Sequence, residues 1–254
     1  MFDVEKVTKG CIDWTRKWFE YKSGNAEGIV VLISGGKDCT VTAKICAEAI
    51  GKDKVFGIIM PNGKQKDLDD AIFVCESIGI RYRIINIEKV YNSMMDVLNF
   101  SGVDDKYVIS PHTATNISPR IRMTVAYAIA QEMHYRVAGS GNFSEKYVGY
   151  CTKHGDANGW DFNPIGGLLC TEVIKVGEYL GIPDRIIHKA PSDGLCGKSD
   201  EESFGFSYET LDEFIKNGEI EDKEVQKKIE EMRDKNQHKW IEMPFFNPEP
   251  LYFM

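Results

Sequence analysis

The residues best suited to chemistry are Ser34-Gly35-Gly36-Lys37-Asp38-Cys39-Thr40, which stand between a short apolar run and a segment read as a helix from about Asp38 to Ile50. Strand, glycine-rich turn and helix start together make a phosphate-binding layout. Glycines let the backbone approach an anion, and the free N–H groups at the helix start point at it. The spacing fits neither GxxxxGK[ST] nor GxGxxG. Asp38 narrows the chemistry, because a carboxylate beside phosphates is repelled unless a divalent cation sits between them, and Mg²⁺ is the usual one. The competing reading is an ordinary strand–helix turn in which Asp38 complements the helix dipole. Downstream, Gly197-Lys198-Ser199 imitates the end of a Walker loop. However, Ser192 stands where its first glycine must be, and Lys189-Ala190-Pro191 is no buried strand.

The elements that must position this loop follow from periodicity. Residues 3–21 place Val4, Val7, Cys11, Trp14 and Trp18 at helical spacing. Gly28–Ile33, Val55–Met60, Tyr82–Ile87 and Tyr135–Gly139 read as strands, the first two apolar enough to be buried on both faces. Helices are expected over Asp67–Ile78, with Gly79 as its stop, and over Asn116–Met133. Two more are expected near Glu172–Leu180 and Glu221–His238. Alternation of strand and helix predicts an α/β fold with an open, mainly parallel sheet and helices on both faces. Ligands then belong in the loops beyond the carboxyl ends of the strands. With no repeat and no linker, one domain over 1–254 is expected.

Composition sets limits. A net charge of −8 repels phosphate backbones, so nucleic acid is not an expected partner. No apolar run reaches the roughly 18 residues of a membrane span, and the N-terminus has no apolar core of a signal peptide. Seven scattered cysteines without CxxC spacing are expected to be free thiols in a reducing cytoplasm.

The SGGKD loop resembles the SGGxDS loop of the N-type ATP pyrophosphatases, which cleave ATP between the α and β phosphates and adenylate a carboxyl or carbonyl oxygen. Further segments narrow the resemblance to the ammonia-dependent NAD synthetases. Pro61-Asn62-Gly63, with Gln65, Asp67 and Asp69-Asp70-Ala71, resembles their loop after the second strand. Asn116, Arg120, Arg122 and Met123 match NxxxRxRM, and residues 139–164 match G[ST]-x₄-E-x₃-G-x₂-TKxGD…D-x-NP. Lys189 to Ser192, then Ser199-Asp200-Glu201-Glu202, match KxP[ST]…DE, and His238-Lys239 matches an HK pair.

The resemblance implies a Rossmann-like adenine nucleotide alpha hydrolase fold. It also implies ATP contacts at Leu32, Ile33, Ser34, Gly35, Gly36, Lys37, Asp38, Cys39, Ser140 and Ser192. Mg²⁺ would be held by Asp38 and Glu145. Deamido-NAD would be held by Arg120, Lys153, Asp161, His238 and Lys239. The implied reaction is amidation of deamido-NAD with ammonia through an acyl adenylate, by a homodimer without a glutaminase domain. Three positions depart from the pattern. Cys39 replaces a serine. Pro119 lies inside the NxxxR segment, so the helix is expected to begin near Ser118. Cys170 replaces an ATP-contacting lysine, with Lys175 and Lys37 as candidates to restore its charge. Two alternatives remain: another amide ligase of the same ATP-cleaving type, and a nucleotide-binding homologue without catalysis.

Overall fold

A computed structural model of the chain describes residues 2–99, 109–189, 199–241 and 244. The order is α1 (Val4–Lys22), β1 (Gly28–Leu32), α2 (Lys37–Ile50), β2 (Val55–Ile59), α3 (Leu68–Ile78), β3 (Arg81–Ile84) and α4 (Glu88–Asn99). Then follow α5 (Pro111–Thr115), α6 (Ile117–Glu132), β4 (Tyr135–Ala138), α7 (Phe143–Val148), α8 (Cys170–Tyr179) and α9 (Asp184–Ile187). The chain continues through α10 (Asp200–Phe204), α11 (Tyr208–Asn217) and α12 (Lys223–Asn236).

All strand pairs are parallel, in the order β3-β2-β1-β4. Alternate residues of β1 serve opposite cores, as strand pleating requires. Ile29 and Val31 pack with the helix side formed by α1, α2, α3 and α8, while Val30 joins Ile58, Val137 and the α6 residues Ile121, Met123 and Ala126. Helices therefore cover both faces, as the alternation of elements predicts. From β1 the chain winds outward to β2 and β3, then returns to lay β4 on the other side of β1. The carboxyl ends of β1 and β4 thus flank a topological switch point, where such sheets open a crevice.

Differences from the expected elements have local causes. The edge strand β3 starts one residue early and stops at Ile84 instead of Ile87. Beyond it, the Asn86 side chain accepts from Gly63 N (3.1 Å) and Glu88 N (2.9 Å), which turns the chain into α4, a helix the periodicity did not predict. The expected Asn116–Met133 helix forms as Ile117–Glu132, with Pro119 third in the helix, where its missing N–H removes no helical bond. α7, α10, α11 and α12 surround a third core of Val148, Phe204, Phe206, Tyr208, Leu211, Phe214, Ile220 and Ile229. α10 and α11 were not foreseen either. Among the described residues no helix is long and apolar enough to cross a membrane. Six cysteines are free thiols, and Cys196 lies outside the described residues.

Candidate active site

The Ser34–Thr40 loop lies at the carboxyl end of β1. Gly35 has φ +84°, and a methyl group there would fall 2.8 Å from the Ala71 amide nitrogen. Glycine is therefore required at 35 both for conformation and for packing against α3. Gly36 is different: a methyl group would meet only Ser34 Oγ, at 3.5 Å. Gly36 caps α2 without a side-chain hydrogen bond, so the first N–H groups of the helix are left for an anion. Cys39 does structural work in the loop: its Sγ accepts from Ser34 N (3.3 Å) and donates to Gly36 O (3.2 Å). Thr40 Oγ1 donates to the same carbonyl at 2.6 Å.

The two carboxylates expected to hold a metal are joined through one residue, Asn142. Its Nδ2 donates to Asp38 Oδ1 at 3.2 Å. Its Oδ1 accepts from Glu145 N (3.0 Å), while its own N donates to Glu145 Oε2 (3.1 Å), closing a capping box at the start of α7. Burial, then the neighbouring Asp38 carboxylate, pushes the Glu145 pKa well up, with Lys37 opposing. Among the described residues no three His, Cys, Asp or Glu side chains come close enough to hold a metal by themselves. Two hard oxygen donors beside a phosphate loop do suit Mg²⁺, which normally takes one or two carboxylates and completes its shell with phosphate oxygens and water.

Lys37 is buried, with Nζ 2.8 Å from Asp38 Oδ2 and 5.5 Å from the Tyr208 ring centroid. Burial works against its charge, but Asp38, Cys170 and Glu145 more than offset this and raise its pKa. Tyr208 Oη in turn donates to buried Asp200 at 3.2 Å. Of the two lysines able to replace the charge missing at 170, Lys37 lines the site with Cys170 within electrostatic reach, whereas Lys175 lies over the Phe2 ring at 5.8 Å.

These groups line a cavity of about 260 Å³ with Ser34, Gly36, Lys37, Asp38, Cys39, Ser140, Glu145 and Asp200, closed on one side by Tyr150, Trp160 and Trp240. A second cavity of about 210 Å³ shares Ser34, Cys39, Gln65, Ser140, Asp156 and Trp160 with it and extends between Leu32, Ile33, Ile59, Met60 and Leu68. Phosphates suit the first and a flat apolar ring suits the second. Arg122 lines the second cavity, with Nε donating to Met60 O at 3.1 Å. Gly139 is needed here, since a methyl group would fall 2.4 Å from the Trp160 ring. Lys189 closes the cavity edge by pairing with Asp67 (2.5 Å) and Asp70 (2.7 Å).

The remaining predicted residues fall around the 150–160 loop. Arg120 Nε donates to Lys153 O (3.2 Å), Asn158 Nδ2 to Lys239 O (3.0 Å), and Lys239 Nζ to Gly149 O (2.7 Å). His154 and Asn158 hold positive φ, a strained arrangement found at working sites. His238 is exposed beside Lys239. Asp161 turns elsewhere: it accepts from Val137 N (2.7 Å) and Tyr127 Oη (3.3 Å) and lines a separate cavity with Gln131 and His134. Ser192 lies outside the described residues. Asn142, Asp200, Tyr208, Arg122 and Trp160 had been assigned no role from sequence. The N-x-x-E spacing of Asn142 and Glu145 was the one available sign of a shared cap.

A parallel sheet with a phosphate loop at its switch point defines an α/β nucleotide-binding protein. More narrowly, residues 11–244 match the family model described as NAD synthase, and the chain belongs to that family. It is 40% identical over 249 residues to the NH(3)-dependent NAD(+) synthetase of Archaeoglobus fulgidus, covering 95% of this chain and 96% of that one. Among solved structures it resembles an NMN synthetase from Francisella tularensis (TM-score 0.86, 28% identity, covering 97% of this chain and 100% of that one). It also resembles an NH3-dependent NAD synthetase from Campylobacter jejuni (TM-score 0.77, 25% identity, covering 97% and 100%).

Proposed function

We propose that this chain, as one domain, converts deamido-NAD to NAD with ATP and ammonia, using the two connected cavities as its ATP site. The observation that carries the reading is the pairing of Asp38, on the phosphate loop, with Glu145 through Asn142. ATP lies with its adenine between Leu32, Ile33 and Met60 and its phosphates over Ser34–Cys39, with Ser140 and Ser192 as further contacts. Mg²⁺ held by Asp38 and Glu145 would neutralise charge on the departing pyrophosphate.

The chain's own residues do the rest by position and charge. Arg120, Lys153, His238 and Lys239 hold the anionic substrate so that its nicotinate carboxylate faces the α-phosphorus, while Asp161 faces a separate cavity. An O–P bond forms there as the bond to pyrophosphate breaks, and N–H groups at the start of α2 bear the released charge. Trp160 and Trp240 keep water from the acyl adenylate. Ammonia then adds to the acyl carbon, the C–O bond to AMP breaks, the added nitrogen gives up one proton to solvent, and the amide remains.

We place the enzyme in the cytoplasm, where free thiols are at home. A homodimer is supported by an exposed apolar row on α4, with Val90, Met94 and Val97 51%, 42% and 69% exposed. The likeness to an NMN synthetase favours a second reading, amidation that yields NMN. Chromatography of products from parallel reactions with deamido-NAD and with the carboxylate precursor of NMN decides. Faster NAD formation supports the first reading, and faster NMN formation replaces it with the second.

A further inference from the structure

The main cavity contains a cation whose placement goes beyond a phosphate contact. Lys37 is the first residue of α2, and its side chain is 4% exposed. Two effects oppose a lysine there: the positive end of the helix dipole, and the cost of taking an ammonium out of water. What offsets them is Asp38 Oδ2 at 2.8 Å and the face of Tyr208. Asp38's other oxygen is taken by Asn142. Each oxygen of the carboxylate thus already holds one hydrogen bond, and a divalent cation drawing on Oδ2 would meet the Lys37 ammonium 2.8 Å from that oxygen and repel it. Lys37 itself lines the cavity, on a four-carbon stem at the start of a helix whose N-terminus has no side-chain cap. Cys170, 1% exposed and within electrostatic reach of Lys37, supplies a thiol and no second cation.

We propose that Lys37 is a transferable counter-ion, which neutralises Asp38 in the empty site and passes to the phosphate chain of ATP when a divalent cation takes Asp38. This rests on reading the cavity as the Mg²⁺–ATP site. It makes Lys37 a competitor of the metal and a partner of the nucleotide, so removing it must shift the two affinities in opposite directions. A lysine that only fills space would not do this.

The test uses the full chain and two titrations: Mn²⁺ alone, with free ion read by electron paramagnetic resonance, and ATP in EDTA, read by calorimetry without a carboxylate acceptor. Lys37→Met is expected to bind Mn²⁺ about tenfold more tightly and metal-free ATP about tenfold more weakly than wild type. If that variant does not fold, Lys37→Gln is expected to give the same pair of opposite shifts. Affinities that move together, or do not move, overturn the proposal. Wild-type enzyme that shows both titrations but forms no NAD would sink the proposed reaction and leave the Lys37 exchange standing. NAD formation by wild type with unmoved affinities in the variants would sink the exchange alone.

Discussion

Asn142 Nδ2 lies 3.2 Å from Asp38 Oδ1, which ties the phosphate loop after β1 to the helix that carries Glu145 after β4. The two carboxylates proposed to hold Mg²⁺ are thus set by one amide side chain that is itself buried. Asn142→Ala removes the cap of α7 as well as the tether. A stability loss of about 1 kcal/mol is expected from the cap. The Mg²⁺ concentration needed for half-maximal activity is expected to rise about tenfold, since the tether prepays the ordering of Asp38. Thermal melting and an Mg²⁺ titration of activity measure the two effects. Melting that falls with no change in Mg²⁺ demand would show the tether to be structural only.

Glu145 gives a pH dependence with a definite sign. In the empty enzyme the folded state keeps a proton that the unfolded chain releases near pH 4.5, because burial and Asp38 raise the folded pKa. The stability linked to that proton is complete below the unfolded value and is lost as pH rises through the folded one. Glu145→Gln cannot charge, so its melting temperature relative to wild type is expected to climb as pH rises above about 4.5 in the absence of metal. A difference that stays flat or falls contradicts the assignment.

The two loop glycines are expected to fail differently. Gly35→Ala forces a side chain into positive φ against the Ala71 backbone, and should cost about 1–2 kcal/mol of stability along with activity. Gly36→Ala meets only Ser34 Oγ, at an ordinary contact distance of 3.5 Å, so it should melt like wild type while raising the KM for ATP, because Gly36 lines the cavity assigned to the phosphates. Equal melting temperatures for the two variants would refute this division.

Two arginines two residues apart on α6 have different surroundings. Arg122 lines the cavity assigned to the adenosine end, whereas Arg120 bonds the 150–160 loop. Arg122→Met is expected to raise the KM for ATP about tenfold, and Arg120→Met to raise that for deamido-NAD by a similar factor. Steady-state kinetics with each substrate varied in turn would show this crossed pattern. The reverse pattern, or a shared one, would require the pockets to be reassigned.

The sheet, the phosphate loop and Asp38 were legible in the sequence because local rules govern them: apolar runs make buried strands, and glycines precede a helix start. Glu145 was found only through resemblance, although its spacing from Asn142 already specified a cap. α4 was missed because Asn86 turns the chain by side-chain bonds to Gly63 and Glu88, a long-range device that periodicity does not record. α10 and α11 are short and take their apolar face from a third core shared with α7 and α12. Asp161 stands beside the loop residues in sequence yet faces another cavity, because its carboxylate is held by the β4 amide of Val137. In the sequence Lys37 reads as an ATP contact and as one of two candidates for the charge missing at 170. Only the fold placed it between Asp38, Tyr208 and Cys170.

The most direct test of the central claim is the stoichiometry of one reaction, followed by phosphorus NMR and chromatography, with ATP, Mg²⁺, ammonia and deamido-NAD supplied to wild type and to Asp38→Ala. Equal amounts of NAD, AMP and pyrophosphate from wild type, with a loss of at least a hundredfold in the variant (about 2.7 kcal/mol), are the predicted result. ADP and phosphate in place of AMP and pyrophosphate, or near-full NAD synthesis by Asp38→Ala, would contradict it.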